Sequence, residues 1–286
     1  MQSSATHPLT FTARGRLVTF SRPAVMGILN VTDDSFYDGG RHNNDTALLE
    51  HARWLLTQGT DIIDVGAASS RPGSAMPPAD VEQQHLCHAV TLLRREHPDV
   101  LISVDTCRAT VAQAAIDAGA DIINDIGGGD LDGNMFATAA ALQVPYILMH
   151  GAAAHFDASL LPSTPRDAEA LVEELTQFFS SCLDQLYTLG AKDVWLDPGF
   201  GFGKSLAENH LLLRHLDALI RLFDEPMLVG LSRKRMVYQP LGLTPDDALD
   251  GTTALNAIAI DRGASILRVH DPRPAQQAIH LLATQL

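Results

Sequence analysis

Cysteine is scarce in this chain: Cys87, Cys107 and Cys182 are the three in 286 residues. They are odd in number, far apart and without a CxxC, which excludes a disulfide framework and a cysteine-based zinc cluster. A reducing compartment, the cytoplasm, is the expected setting. Positive charge is also short, with 20 Lys and Arg against 34 Asp and Glu and a formal net charge of −14. So acidic a chain lacks the basic face that general nucleic-acid or anionic-membrane binding needs, and neither is expected as a partner. No apolar run approaches the roughly 20 residues of a membrane-spanning helix. Met1–Pro8 has no basic stretch followed by an apolar core, so no secretory signal is expected there.

What the chain does have is a repeated punctuation. Eight short apolar runs each lead into residues suited to chemistry. Val25–Leu29 ends in Asn30, and Ile62–Val65 leads to Gly66 and a loop carrying Arg71. Leu101–Val104 ends in Asp105, Ile122–Ile123 in Asn124 and Asp125, and Tyr146–Met149 in His150. Val194–Leu196 ends in Asp197, and Met227–Leu231 in Ser232-Arg233-Lys234. Ile266–Val269 carries Arg268 and ends in His270. Helix-length amphipathic stretches separate these runs. Eight strand–helix units predict a closed (β/α)8 TIM barrel, whose active site is built from the C-terminal strand ends and the loops after them. An open doubly wound sheet is the competing α/β architecture. A polar residue at every strand end favours closure.

Thr10–Ala13 and Leu17–Phe20 alternate around Arg14-Gly15-Arg16, which predicts an N-terminal β-hairpin, about residues 9–20, able to plug the barrel bottom. The barrel is expected over about 24–286, and no linker-like stretch divides residues 1–286, so one domain is expected. Asp45 is placed as the N-cap of a first helix running to Leu56. Further helices are expected over Ala79–Glu96, Ala109–Ala118, Met135–Gln143, Asp167–Leu189, Leu206–Phe223, Asp246–Arg262 and Pro274–Leu286. The long loops near 32–44, 67–78 and 150–165 all follow strands and so share one face. Loops longer than about 12 residues are usually functional lids or disordered segments.

Asp197-Pro-Gly-Phe-Gly-Phe-Gly-Lys204-Ser invites comparison with a phosphate loop, but Pro198 stands where GxxxxGK[ST] needs its first Gly. The run reads instead as a strand-end loop presenting Asp197, Phe202 and Lys204. A turn with nothing to bind is the plainer alternative, and it has little use for two phenylalanines. Ser232-Arg233-Lys234-Arg235, next to Arg268 and His270, predicts a cationic rim where barrels often hold phosphate; a solvated basic knuckle is the alternative. Asp105, Asn124 and Asp197 are either core polar groups satisfied by backbone or a convergent set for an amidine-like or pyrimidine-like edge. His85 and His88 share a helix face, and a solvated surface explains them better than a metal site. Cys107 has no base in view and receives no role.

Longer motifs run in order through the chain. They are Met26-Gly-Ile-Leu-Asn30-Val-Thr-Asp-Asp34-Ser-Phe36-Tyr-Asp-Gly-Gly40, Asp61-Ile-Ile-Asp-Val-Gly-Ala-Ala-Ser-Ser70-Arg71-Pro72-Gly73 and Ile102-Ser-Val-Asp105-Thr. Ala120-Asp-Ile-Ile-Asn124-Asp125-Ile, Asp197-Pro-Gly-Phe-Gly-Phe202-Gly-Lys204, Gly230-Leu-Ser-Arg-Lys234 and Leu267-Arg268-Val-His270-Asp follow. Together they resemble the dihydropteroate synthases. The resemblance implies a (β/α)8 transferase of folate biosynthesis, commonly a homodimer and a sulfonamide target. It joins 6-hydroxymethyl-7,8-dihydropterin pyrophosphate to p-aminobenzoate with the help of Mg2+. By resemblance, Asp105, Asn124, Asp197 and Lys234 would bind the pterin. Asn30 would meet the Mg2+–pyrophosphate, and Arg71, Arg268 and His270 would hold pyrophosphate oxygens. Ser70, Pro72, Phe202 and Lys234 would border p-aminobenzoate, with Asp34 and Phe36 on the first loop completing the pocket. Lys234, Arg268, His270, Asp105 and Arg71 are the expected catalytic set.

The chain departs from the family pattern in places. Asp33 stands where the family usually has Pro, Ala68 where it has an acid, and Ser70 where it has Thr. His150-Gly-Ala-Ala-Ala lacks the Arg often found after that strand. A pterin-barrel methyltransferase and a non-catalytic pterin-binding paralogue are the rival functions. The Ser-Arg-Lys and Arg-Val-His elements favour the synthase, because methyl transfer has no pyrophosphate to hold.

Overall fold

The computed structural model describes residues 9–31, 41–67, 76–151 and 164–283, with 41–43 described in their backbone only. Strands β1 (Leu9–Ala13) and β2 (Arg16–Phe20) form the expected antiparallel hairpin. The parallel strands are β3 (Ala24–Asn30), β4 (Ile62–Gly66), β5 (Leu101–Asp105), β6 (Ile122–Asp125), β7 (Tyr146–Met149), β8 (Val194–Asp197), β9 (Leu228–Val229) and β10 (Ile266–Val269). They pair in the order β8-β7-β6-β5-β4-β3-β10-β9. A parallel bridge between Leu196 and Met227 joins the two ends of this row. The α/β sheet therefore closes into a barrel.

Helices fill the connections: α1 (Arg41–Thr57), α2 (Ala79–Glu96), α3 (Ala109–Asp117), α4 (Met135–Leu142), α5 (Ala168–Thr188), α6 (Leu206–Arg214), α7 (Leu216–Ile220), α8 (Arg235–Tyr238), α9 (Leu249–Asp261) and α10 (Pro272–Ala283). No helix among the described residues is long and apolar enough to cross a membrane.

Strand alternation decides what the barrel axis contains. Ile63, Val65, Ile102, Val104, Ile123, Leu148, Leu196 and Leu267 are buried in the clusters outside the barrel, against the helices. The intervening positions point to the axis. At its lower end these are Ile62, Ile122, Ile147, Trp195, Leu228 and Ile266, which pack with Leu9, Phe11 and Ala13 of the hairpin. The Phe11 and Trp195 rings meet edge-on at 5.0 Å. Two residues further along the same strands, the inward positions become polar: Asp64, Asn124, Asp197 and Arg268, with Ser103 and Asp105 on β5. The sequence pattern thus builds an apolar floor under a charged upper lumen.

Several elements differ from expectation. Helix α1 starts at Arg41, so Asp45 lies inside it rather than at its N-cap. The Asp45 Oδ1 lies 2.7 Å from Nε2 of His88 on α2, a hydrogen-bonding distance on the helical surface. Among the described residues, no group of three His, Cys, Asp or Glu could hold a metal. The stretch expected as one helix over 206–223 is two, α6 and α7, separated at His215. Strand β9 is only Leu228–Val229, and the chain then turns into the short α8, which was not expected. Asp167 does cap α5, accepting from Ala170 N at 2.9 Å.

Candidate active site

A cleft opens at the C-terminal end of the barrel, lined by Asp105, Asn124, Ile126, Met149, Asp197, Phe202, Gly230, Lys234 and Arg268. Six of the residues singled out from sequence thus meet in one place. A larger, open hollow at the opposite end, near Phe20, Thr60 and His97, gathers no comparable set.

Arg268 organises the cleft floor. Its Nε donates to Asp64 Oδ2 at 2.7 Å and its Nη2 to Asp105 Oδ2 at 2.8 Å. Asn124 Nδ2 donates to the same Asp64 oxygen at 3.1 Å. Asp64 is fully buried, and its Oδ1 has no hydrogen-bond partner. Burial pushes the Asp105 carboxyl up; Arg268 opposes this and the Asp64 charge adds to it, leaving its pKa at about 7. Burial opposes the Arg268 charge, but the two carboxylates outweigh it and keep the guanidinium ionised. Asp64 was missed in the sequence reading. Its only signal there is a lone acid inside the apolar run Ile62–Val65.

The loop after β8 supplies one wall. Asp197 Oδ1 accepts from Gly199 N at 2.8 Å, and burial raises its pKa against the pull of Lys234. Lys234 Nζ donates to Phe200 O and lies 4.9 Å from the centre of the Phe202 ring, a cation–π distance. Burial lowers the Lys234 pKa to about 8, with Asp197 opposing.

The expected cationic rim is narrower than the sequence suggested. Arg233 has a left-handed backbone (φ 57) and turns away to Asp271, with Nε–Oδ2 at 3.1 Å and Nη2–Oδ1 at 2.9 Å. Arg235 is exposed on α8. Of the Arg233-Lys234-Arg235 run, only Lys234 lines the cleft. Lys204 also differs from expectation, because it braces the loop from behind. Its Nζ lies 3.0 Å from His150 Nδ1, 3.2 Å from Gly199 O and 3.1 Å from Phe202 O. The sequence showed these charges but not the distant acceptors that claim them.

His270 packs against Ser232, with Nδ1 3.2 Å from its Oγ. Burial, helped by Arg268 and Arg233, lowers its pKa to about 4, so it is a neutral imidazole at pH 7. Asn30 is exposed at the end of β3. Beside it Gly66 leaves a gap: a Cβ there would lie 3.7 Å from Asp105 Oδ2 and 3.8 Å from Asn30 Oδ1. Cys107 is buried, and burial pushes its thiol pKa up. The expected site residues Asp34, Phe36, Ser70, Arg71 and Pro72, and the departures Asp33 and Ala68, lie outside the described residues.

Comparison with known proteins gives this barrel its class. The chain is a pterin-binding enzyme: the family model described as "Pterin binding enzyme" matches residues 26–270. Dihydropteroate synthase of Streptococcus pyogenes is 39% identical over 277 residues, 94% of this chain and 98% of that one. That of Escherichia coli is 38% identical over 279 residues, 96% of this chain and 95% of that one. The chain belongs to the dihydropteroate synthase family. The solved Yersinia pestis dihydropteroate synthase with a sulfonamide drug superimposes with a TM-score of 0.84 at 38% identity, covering 96% of this chain and 98% of that one. The Xanthomonas albilineans enzyme with 4-aminobenzoic acid gives 0.85 at 34% identity, covering 97% and 98%.

Proposed function

We propose that the protein condenses 6-hydroxymethyl-7,8-dihydropterin pyrophosphate with p-aminobenzoate, forming 7,8-dihydropteroate and pyrophosphate. The observation that carries this reading is the convergence of Asp105, Asn124, Asp197, Lys234 and Arg268 in one cleft at the strand ends. A pterin edge offers N–H donors and ring acceptors. The Asp105 and Asp197 carboxylates accept from the donors, while the Asn124 amide can do both. Lys234 donates from the Phe202 side.

In the reaction the bond between the pterin methylene carbon and the pyrophosphate oxygen breaks, and its electron pair leaves with the oxygen. Arg268 stabilises that charge, and neutral His270 adds a hydrogen-bond donor. Arg71 joins them from the second loop. The carboxylates favour the cationic methylene. The amine nitrogen of p-aminobenzoate then forms the C–N bond and releases its proton to solvent. Ser70, Pro72, Phe202, Lys234, Asp34 and Phe36 border that second substrate. Orientation rather than a protein nucleophile supplies much of the rate.

Mg2+ fits the oxygen chemistry at the mouth. It commonly binds through one or two protein oxygens plus substrate phosphates, and the Asn30 amide oxygen beside the Gly66 gap offers one such donor. When bound, Mg2+ neutralises charge on the pyrophosphate. A cytoplasmic homodimer belongs to the same proposal; light scattering should give twice the chain mass.

The direct test is mass spectrometry of purified protein with both substrates and Mg2+. Dihydropteroate that appears only when p-aminobenzoate is present supports the proposal. Pterin binding without product would assign the chain to a non-catalytic paralogue.

A further inference from the structure

Gly199 and Gly151 sit where two backbones touch. A Cβ on Gly199 (φ +68) would lie 1.9 Å from the His150 carbonyl oxygen, and one on Gly151 (φ +98) 2.7 Å from that of Phe202. The end of β7 and the loop after β8 are therefore in main-chain contact from both sides. Only glycine fits at either point.

Charged side chains close the same seam. Lys204 Nζ has three polar atoms within reach, Gly199 O, Phe202 O and His150 Nδ1, and burial lowers its pKa to about 7. With Lys204 protonated, Nδ1 of His150 accepts and the ring hydrogen stays on Nε2, which lies 3.3 Å from Glu174 Oε1. A neutral ring suits this, and burial lowers the His150 pKa to about 4 despite the Glu174 contact. Arg166 completes the set. Its Nη1 donates to Glu174 Oε1 at 2.6 Å, its Nε to Glu208 Oε1 at 2.7 Å and its Nη2 to Gly203 O at 2.8 Å. Lys204, His150 and Arg166 are absent from the cleft lining, whereas Phe202, between the braced carbonyls, is part of it.

We propose that Lys204, His150 and Arg166 form a clamp that holds the Gly199–Gly203 loop against the end of β7 and thereby fixes Phe202. They are positioning residues for the p-aminobenzoate side of the cleft. This deepens the function proposed above and rests on it for the substrate. Asp105 and Asn124 hang from β5 and β6, away from the clamped loop, whereas Asp197 and Lys234 touch it through Gly199 N and Phe200 O. The clamp's signature is damage that falls more heavily on p-aminobenzoate, which Phe202 borders, than on the pterin.

Two variants test it. Lys204→Met removes the three-way donor. Glu174→Gln is milder, because Glu174 lies at a half-exposed position and glutamine keeps its shape and one acceptor oxygen. Varying each substrate in turn, the KM for p-aminobenzoate should rise about tenfold in Lys204→Met and about threefold in Glu174→Gln, with the pterin pyrophosphate KM within about twofold. Equal rises for both substrates, or no rise in either variant, would overturn the clamp. Hydrogen exchange reads the clamp without turnover. The amides of 150–151 and 199–205 should exchange faster in both variants, with β3–β6 unchanged. Unchanged exchange in the loop would overturn the clamp even if KM moved. Absence of product from the unaltered protein would count against the proposed function, and the exchange result would still decide the clamp.

Discussion

Asp64, fully buried on the barrel axis, accepts the Nε proton of Arg268 at 2.7 Å. The same carboxylate oxygen also takes Asn124 Nδ2. One acid thus orients the cation proposed for the leaving pyrophosphate and an amide proposed for the pterin. Asp64→Asn is nearly isosteric. Its amide oxygen can keep both contacts, with the new NH2 placed where Oδ1 has no partner. The substitution therefore removes charge more than shape. kcat/KM should fall about 10–100-fold, or about 1.4–2.8 kcal/mol of transition-state stabilisation. Steady-state kinetics with both substrates checks this; a loss below threefold would show that the Asp64 charge is dispensable.

The pH profile follows from two shifted groups. The proposed reaction calls for ionised Asp105 and protonated Lys234, whose pKa values lie at about 7 and about 8. kcat/KM for the pterin pyrophosphate should therefore rise through about pH 7 and fall through about pH 8, a narrow bell. In Asp64→Asn the neighbouring negative charge is gone, so the Asp105 pKa falls and the acid limb moves to lower pH. An unshifted acid limb would remove Asp105 from that role.

The same shift predicts a stability effect. An unfolded Asp titrates near 3.9, whereas folded Asp105 titrates at about 7. Its contribution to stability is complete at low pH and is lost as pH rises through about 7. Asp105→Asn has no such loss. Its Tm should match the unaltered protein near pH 4, exceed it increasingly up to pH 7, and hold that advantage above, while activity collapses. Thermal unfolding across pH measures this. A constant difference would contradict the shifted titration.

At the other end of the barrel, Phe11 is 2% exposed and meets Trp195 edge-on. Phe11→Ala should cost about 3–5 kcal/mol through lost burial and a residual cavity. Denaturant unfolding reads the loss directly. A cost under 1 kcal/mol would mean that the hairpin is an appendage rather than the barrel's plug.

Much of this was legible in the chain because period-2 alternation and strand-end position are local properties. Ile122 to Asn124, Trp195 to Asp197 and Ile266 to Arg268 each pass from floor to site in two residues, so the sequence itself marks them. Partnerships are not local. Asp64 was overlooked because it sits mid-strand and its partner Arg268 lies 204 residues on. Arg233 and Lys204 showed their charge, but Asp271 and His150, which claim them, stand 38 and 54 residues away. Asp45 looked like a cap for the same reason, its contact with His88 being hidden 43 residues along.

Arg233 carries the last prediction. Its left-handed backbone (φ 57) directs the next residue, Lys234, into the cleft. Asp271 fixes the side chain, and Thr252 Oγ1 accepts the Arg233 backbone N–H at 3.2 Å. A side chain with a Cβ pays about 1–2 kcal/mol in that conformation, and glycine essentially none. Arg233→Ala loses the pin to Asp271 and keeps the strain, whereas Arg233→Gly loses the pin and relieves it. The Gly variant should therefore be the more stable by about 1 kcal/mol. Both should lose about tenfold in kcat/KM as Lys234 is less firmly held. Denaturant unfolding and kinetics on the pair separate the two effects. Equal stability of the Ala and Gly variants would place the strain elsewhere, and undiminished turnover in both would show that Lys234 finds the cleft unaided.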